Sequence, residues 1–279
     1  MGLLSKKPKR VALVLGGGAT RGLAHIGVIK ALEENNISFD YVAGTSVGSL
    51  VGAFYAAGLT SDEMIKIAKG LKVKDIRSSI IPLVPSKTDG IKNLIINNLG
   101  DIDISQLKRH FCAVAVDIRS GNEIDFTSGN LANIVAGSCS VPGVFQPVKY
   151  GDYLLHDGGL ANNIPSNVPK IVFDCDKVVA IDVNSTRGQG TESDKFFDTL
   201  LASMRIMMKS NSLKGYLNGD IVIQPDLKRF KSTKLDYVDE MIMEGYNAAI
   251  FEMDSIKNLI NGKVIKEKIR KFKVNKHMV

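Results

Sequence analysis

The chain has no tryptophan, only four histidines and only three cysteines in 279 residues. Each scarcity excludes something. Cys112, Cys139 and Cys175 are odd in number and lack metal-ligand spacing, so neither a disulfide framework nor a zinc site is expected. Cys112 and Cys175 lie in apolar or strand-like surroundings, which predicts reduced thiols and a cytoplasmic protein. No apolar run reaches transmembrane length. At the start, Lys6-Lys7-Pro8-Lys9-Arg10 follows the short Gly2-Leu3-Leu4 run, which is not the pattern of a secretory leader. Lys6 also stands where a myristoylation signal needs Ser or Thr. Any membrane contact is therefore expected to be peripheral. Repeats, low-complexity linkers and nucleic-acid-binding modules are missing as well, and no nucleic-acid partner is expected.

What is present is a large apolar fraction, 44%, enough to bury a sizeable core in one α/β domain. The net charge of +7 gathers at the ends. These are read as a basic segment over 1–10, a folded domain over 11–260 and a basic tail over 261–279. By charge alone such ends suit an anionic membrane surface as readily as nucleic acid, and most often they are only a solvated face.

Val11-Ala12-Leu13-Val14-Leu15 is an unbroken apolar run, as in a parallel strand covered on both faces. It opens into Gly16-Gly17-Gly18-Ala19-Thr20-Arg21-Gly22 and then a helix from Leu23 to Glu34. A glycine loop between strand and helix presents backbone N–H groups that can hold a phosphate or an oxyanion. The dinucleotide fingerprint fits poorly, because Gly16, Gly18 and Gly22 carry one residue too many, and the P-loop lysine is missing.

Phe39 to Ala43 reads as a second short strand. Gly44-Thr45-Ser46-Val47-Gly48 follows it and leads into an apolar helix ended by Gly58. A serine in Gly-x-Ser-x-Gly between strand and helix has the pattern of a nucleophile elbow, with Gly44 and Gly48 where a Cβ would clash. The same five residues fit a tight turn with a capping serine. Further elements follow in order: a capped helix from Thr60 to Lys72, a helix near Ile91 to Leu99, a buried strand from Phe111 to Asp117, and a hairpin turn at Gly121-Asn122 into the edge strand Glu123 to Phe126. Leu131 to Ser140 is a small-residue helix and Tyr153 to Leu155 a short strand. Val178 to Val183 and Ile221 to Ile223 are strands, and Tyr237 to Leu259 is one helix or two. Ile80 to Pro85, apolar residues between prolines, fits either a lid or a buried crossing segment. In the helix from Phe196 to Leu213, Met204, Met207 and Met208 are expected to pack in the core.

A serine nucleophile needs a base. Histidine is the usual one, but neither His156 nor His277 follows an acidic residue in a suitable loop. A carboxylate in direct contact with Ser46 is the remaining candidate, and Asp157, freed at a strand end by Gly158-Gly159, is the best placed. Alone, that tripeptide reads equally as a turn.

Taken together, Leu15 to Gly27, Gly44-Thr45-Ser46-Val47-Gly48, Val141-Pro142-Gly143-Val144-Phe145 and Asp157-Gly158-Gly159-Leu160-Ala161-Asn162-Asn163-Ile164-Pro165 resemble the bacterial branch of the patatin-like phospholipase family. Ile221 to Asp226 resembles the family's end. The resemblance implies a three-layer α/β sandwich, a central and mostly parallel sheet with helices on both faces. It implies a Ser-Asp dyad of Ser46 and Asp157 that hydrolyses carboxylic esters of lipids, such as phospholipids or lysophospholipids, through an acyl-enzyme. It implies an oxyanion hole from the N–H groups of Gly17, Gly18 and Ala19, the last standing where the family has a third glycine, and a bracing or phosphate-meeting role for Arg21. His25 is read as structural. No cofactor or metal is implied. A general carboxylesterase and a non-catalytic phosphate- or nucleotide-binding protein are the alternatives.

Overall fold

The computed structural model describes residues 10–76, 84–185, 193–230 and 236–261. The basic stretches 1–9 and 262–279, and most of Ile80 to Pro85, lie outside the described residues.

In chain order the elements are β1 (Val11–Leu15), α1 (Leu23–Glu34), β2 (Tyr41–Thr45), α2 (Val47–Ala57), α3 (Ser61–Gly70), α4 (Val73–Ile76) and α5 (Asp89–Leu99), then β3 (His110–Asp117), β4 (Asn122–Phe126) and α6 (Leu131–Ser138). They continue as β5 (Val148–Tyr150), β6 (Tyr153–Asp157), α7 (Val168–Val172), β7 (Lys177–Ile181), α8 (Phe196–Asn211), α9 (Leu213–Asn218), β8 (Ile221–Ile223) and a single long α10 (Val238–Ile260). The sheet runs β5-β6-β3-β2-β1-β7-β8, with β4 added to β3. From β3 to β8 the neighbours are parallel, and β4, β5 and β6 are antiparallel additions.

Because side chains alternate along a strand, each central strand feeds two apolar layers. Val11, Leu13 and Leu15 join the larger core, which α1, α2, α6 and α10 help to build, while Ala12 and Val14 join a smaller one with Ile164, Val168 and Tyr216. The expected sandwich with helices on both faces is what forms.

Two local features position the site. On β3, Ala113 and Val114 pair with β2 through Gly44 and Thr45 and with β4 through Phe126 and Asp125, so β2 and β4 occupy opposite edges. At Ala115 the β2 edge passes to β6, whose Asp157 is the partner there. The chain leaving β2 after Thr45 and the chain arriving at Asp157 therefore meet over consecutive residues of one strand. Second, α1 and α10 cross at two glycines: a Cβ on Gly27 would overlap the Ile242 carbonyl, and one on Gly245 the Ala24 carbonyl.

The methionine expectation holds only in part. Met204 is buried, but Met207 is 55% exposed, and Met208 turns to the site described next.

Candidate active site

Ser46 is the hinge of the β2–α2 turn, at φ 55° and ψ −131°. A non-glycine residue there costs about 1–3 kcal/mol and persists only when its surroundings hold it. They do. Its N–H donates to Ser138 Oγ at 2.9 Å, and that hydroxyl donates in turn to the Val114 carbonyl at 2.6 Å. Its carbonyl accepts the Ser49 N–H at 2.8 Å and the Ser49 hydroxyl at 2.7 Å. The flanking glycines are sterically required, since a Cβ on Gly44 would overlap the Gly48 carbonyl and one on Gly48 the Leu15 carbonyl.

Asp157 ends β6 and caps the 3-10 turn Gly158–Leu160, its Oδ1 accepting the Gly159 N–H at 2.8 Å. The turn and the site thus use one carboxylate. The side chain is completely buried, and Oδ2 makes no geometrically complete hydrogen bond. Burial raises the Asp157 pKa to about 6, against the opposing pull of the Ser46 hydroxyl and the Gly159 amide. The Ser46 hydroxyl is thus one of the groups that favour the ionised carboxylate. Gly158 allows this turn to press on β3, because a Cβ would overlap the Val114 carbonyl.

The glycine loop lies over the serine: a Cβ on Gly17 would come within 3.2 Å of Ser46 Cβ and 2.6 Å of Asn163 Oδ1. Several groups pin this loop. The Gly16 N–H donates to the Ile181 carbonyl at 3.1 Å and the Gly17 N–H to the Asn163 carbonyl at 2.9 Å. The Gly17 carbonyl accepts from Asn184 Nδ2 at 2.7 Å, and the Gly16 carbonyl bonds His25 Nε2 at 2.8 Å. Gly17, expected among the oxyanion donors, thus has its N–H engaged. The amides of Gly18 and Ala19 donate to no atom of the described residues. Ala19 is left-handed, at φ 51°, where glycine would be relaxed.

Arg21 is 3% exposed, and its Nε and Nη2 donate to the Phe230 carbonyl at 3.1 and 2.7 Å. It ties the loop to the chain before α10. His25 is fully buried, and burial lowers its pKa to about 4, so it is neutral and donates to the Gly16 carbonyl. His156 Nδ1 bonds the Ser140 carbonyl at 2.6 Å, and His110 stacks on Tyr41. His277 lies outside the described residues. Among the described residues no cluster of three or more His, Cys, Asp or Glu is placed to hold a metal ion.

Ser138, Asn163 and Asn184 were not singled out from the sequence. Asn163 is 2% exposed and fits between Gly17 and Gly159, whose added Cβ atoms would both crowd its Oδ1. It belongs to the Asp157 motif, and that was its one signal. Asn184 and Ser138 act across 167 and 92 residues respectively, and nothing local marks them.

Fold and geometry together define an α/β protein with a strained elbow serine, an overlying glycine loop and a buried carboxylate at the ends of the parallel strands. Residues 13–168 match the family model described as Patatin-like phospholipase. The chain belongs to the patatin-like phospholipase family. An uncharacterized NTE family protein of Mycobacterium tuberculosis is 28% identical over 269 residues, covering 86% of this chain and 46% of the relative. Patatin-like phospholipase domain-containing protein 6 of Mus musculus is 32% identical over 238 residues, covering 82% of this chain and 17% of the relative. The chain thus spans less than half the length of either relative. VipD from Legionella pneumophila superposes with a TM-score of 0.55 at 14% identity, over 95% of this chain and 73% of that one, a likeness of fold.

Proposed function

We propose that the protein is a serine lipid acyl hydrolase of the phospholipase A or lysophospholipase type, working through a dyad of Ser46 and Asp157. The observation that supports this reading is that a strained elbow serine and a fully buried carboxylate, whose Oδ2 lacks a hydrogen-bond partner, follow or end strands paired to consecutive residues of β3. Asp157 takes the Ser46 proton as Oγ attacks the ester carbonyl. The Gly18 and Ala19 amides, with the N-terminus of α2, receive the oxyanion. Collapse of the tetrahedral intermediate expels the alcohol, which leaves with the proton from Asp157, and Ser46 holds the acyl group. Water then attacks the acyl-enzyme, gives its proton to Asp157, and the fatty acid departs as Ser46 recovers the proton. The nucleotide-binding alternative draws less support, because the Gly16 and Gly17 amides are already committed to backbone carbonyls.

Intact mass after treatment with a fluorophosphonate tests the dyad. The parent is expected to gain one adduct, and the Ser46→Ala and Asp157→Asn proteins none. An adduct on Ser46→Ala, or hydrolysis of a short acyl ester at the parental rate by that variant, would remove Ser46 from the mechanism.

A further inference from the structure

α8 and α9 are inside out on one side. Phe196, Leu200 and Met207 lie on one ridge of α8 at i+4 and i+7 spacing, and Ile206 begins the next, which Leu213 and Leu217 continue along α9. Ser212 joins the two helices in right-handed helical geometry, at φ −67° and ψ −17°. All six side chains are exposed, from 38% at Leu200 to 85% at Leu217. Six large exposed apolar groups along two successive helices are more than scattered exposure accounts for.

The charge pattern indicates what covers them. From Phe196 to Leu217, the span of the stripe, the chain has three basic residues and one acidic residue, Asp198. Lys209 and Lys214 are exposed beside the apolar ridges, although Lys214 also approaches Glu123 at 3.7 Å. An exposed apolar stripe flanked by lysines is the pattern of a helix lying in a lipid–water interface, its lysines reaching back to anionic headgroups. On α10, the exposed apolar residues Met243, Ile250 and Phe251 are instead interleaved with Asp239, Glu240, Glu244 and Asp254, which an anionic surface repels, and Ile260 stands apart at the end of the helix.

Other residues of α8 reach the candidate site. From the same helix Met208 reaches Gly159, so that a Cβ on this glycine would overlap its Cε, and Asn211 Nδ2 donates to the Leu160 carbonyl at 2.6 Å. The helix that would rest on lipid therefore also touches the turn carrying Asp157.

We propose that the exposed face of α8 and α9 docks the protein on an anionic lipid surface and so delivers interfacial lipid to the site. This deepens the hydrolase reading and rests on it for the delivery, but the docking is measurable without turnover. The test is flotation of the full chain in a Ser46→Ala background with vesicles of phosphatidylglycerol and phosphatidylcholine (3:7), and with phosphatidylcholine alone. Leu213→Glu/Leu217→Glu is expected to lower the partition coefficient on the mixed vesicles at least tenfold with an unchanged Tm. Ile171→Glu, a control at the 72% exposed position on α7, is expected to bind like the parent. With Ser46 restored, the double variant is expected to keep the parental rate on a soluble short-chain ester and to lose rate on vesicle lipid. No vesicle binding by the parent, equal loss by the control, unchanged binding by the double variant, or a parental dimer that the double change splits into monomers would each overturn the proposal. A protein that binds vesicles yet takes no fluorophosphonate would keep the docking and overturn the dyad.

Discussion

The proposed base is of use only when ionised, and Asp157 sits where ionisation is disfavoured. Its carboxyl titrates near 3.8 in the unfolded chain and at about 6 in the fold, because burial outweighs the help of the Ser46 hydroxyl and the Gly159 amide. Between those values the native state keeps a proton that the unfolded chain has released. Stability contributed by this group is therefore present at low pH and lost as the pH rises through about 6, by about 3 kcal/mol in all. Activity has the opposite slope. On a soluble ester, kcat/KM is expected to rise tenfold per pH unit up to about pH 6 and to level off above it. Asp157→Asn should abolish turnover and yet resist urea better than the parent at pH 8, by as much as about 3 kcal/mol, while the two unfold alike near pH 4. Equal stabilities at pH 8 would mean that the carboxylate is not the strained group described. Asn184 works at the same scale by another route. The Gly17 carbonyl and the Gly18 N–H belong to one planar peptide, so the hydrogen bond from Asn184 Nδ2 aims the N–H as well as the carbonyl. Asn184→Ala and the isosteric Asn184→Asp, which cannot donate, should each lower kcat roughly 10- to 100-fold with little change in KM. A rise in KM at constant kcat would instead place Asn184 in substrate binding.

At the scale of elements, the crossing of α1 and α10 is set by what Gly27 and Gly245 lack. Each would drive a Cβ into a backbone carbonyl of the other helix, and carbonyls, unlike side chains, cannot turn aside. Gly245→Ala and Gly27→Ala should each cost about 1–3 kcal/mol, seen as a lower urea midpoint at unchanged slope. Together they should cost less than the sum, since one separation of the helices makes room for both methyl groups. Strict additivity would show that the two positions relax independently. The elements themselves were largely legible in the sequence. The apolar run Val11 to Leu15, the glycine at the end of α2 and the capping box of Thr60 and Glu63 are local signals, and β1, α2 and α3 form where those signals stand. β2 falls two residues later than its expected start, because Phe39 uses its N–H on the Tyr55 hydroxyl rather than on a neighbouring strand. The short β5, α7 and α9 were not legible. Three to six residues carry too little periodicity, and their partners lie across the fold.

At the scale of the whole molecule, the candidate site was readable as a set of motifs, but its assembly was not. Nothing local in residues 44–48 or 157–159 states that both stretches end on the same edge of β3, since pairing across more than a hundred residues has no sequence period. The methionines of α8 show the same limit. Their spacing marks a helix, and only the packed structure tells that Met204 faces inward while Met207 faces out. Because the elbow and the Asp157 turn are anchored on the most central part of the sheet, thermal loss of activity is expected to coincide with global unfolding followed by circular dichroism. Inactivation well below that transition would mean that the elbow opens by itself.

The passing of the β3 edge from β2 to β6 between Val114 and Ala115 also bears on how little of this chain can be borrowed. The elbow cannot be transplanted as a loop, nor the aspartate as a turn. The smallest unit that retains both in register is a four-strand block, β1 to hold the glycine loop, β2 and β6 end to end, and β3 as the ruler against which they are measured.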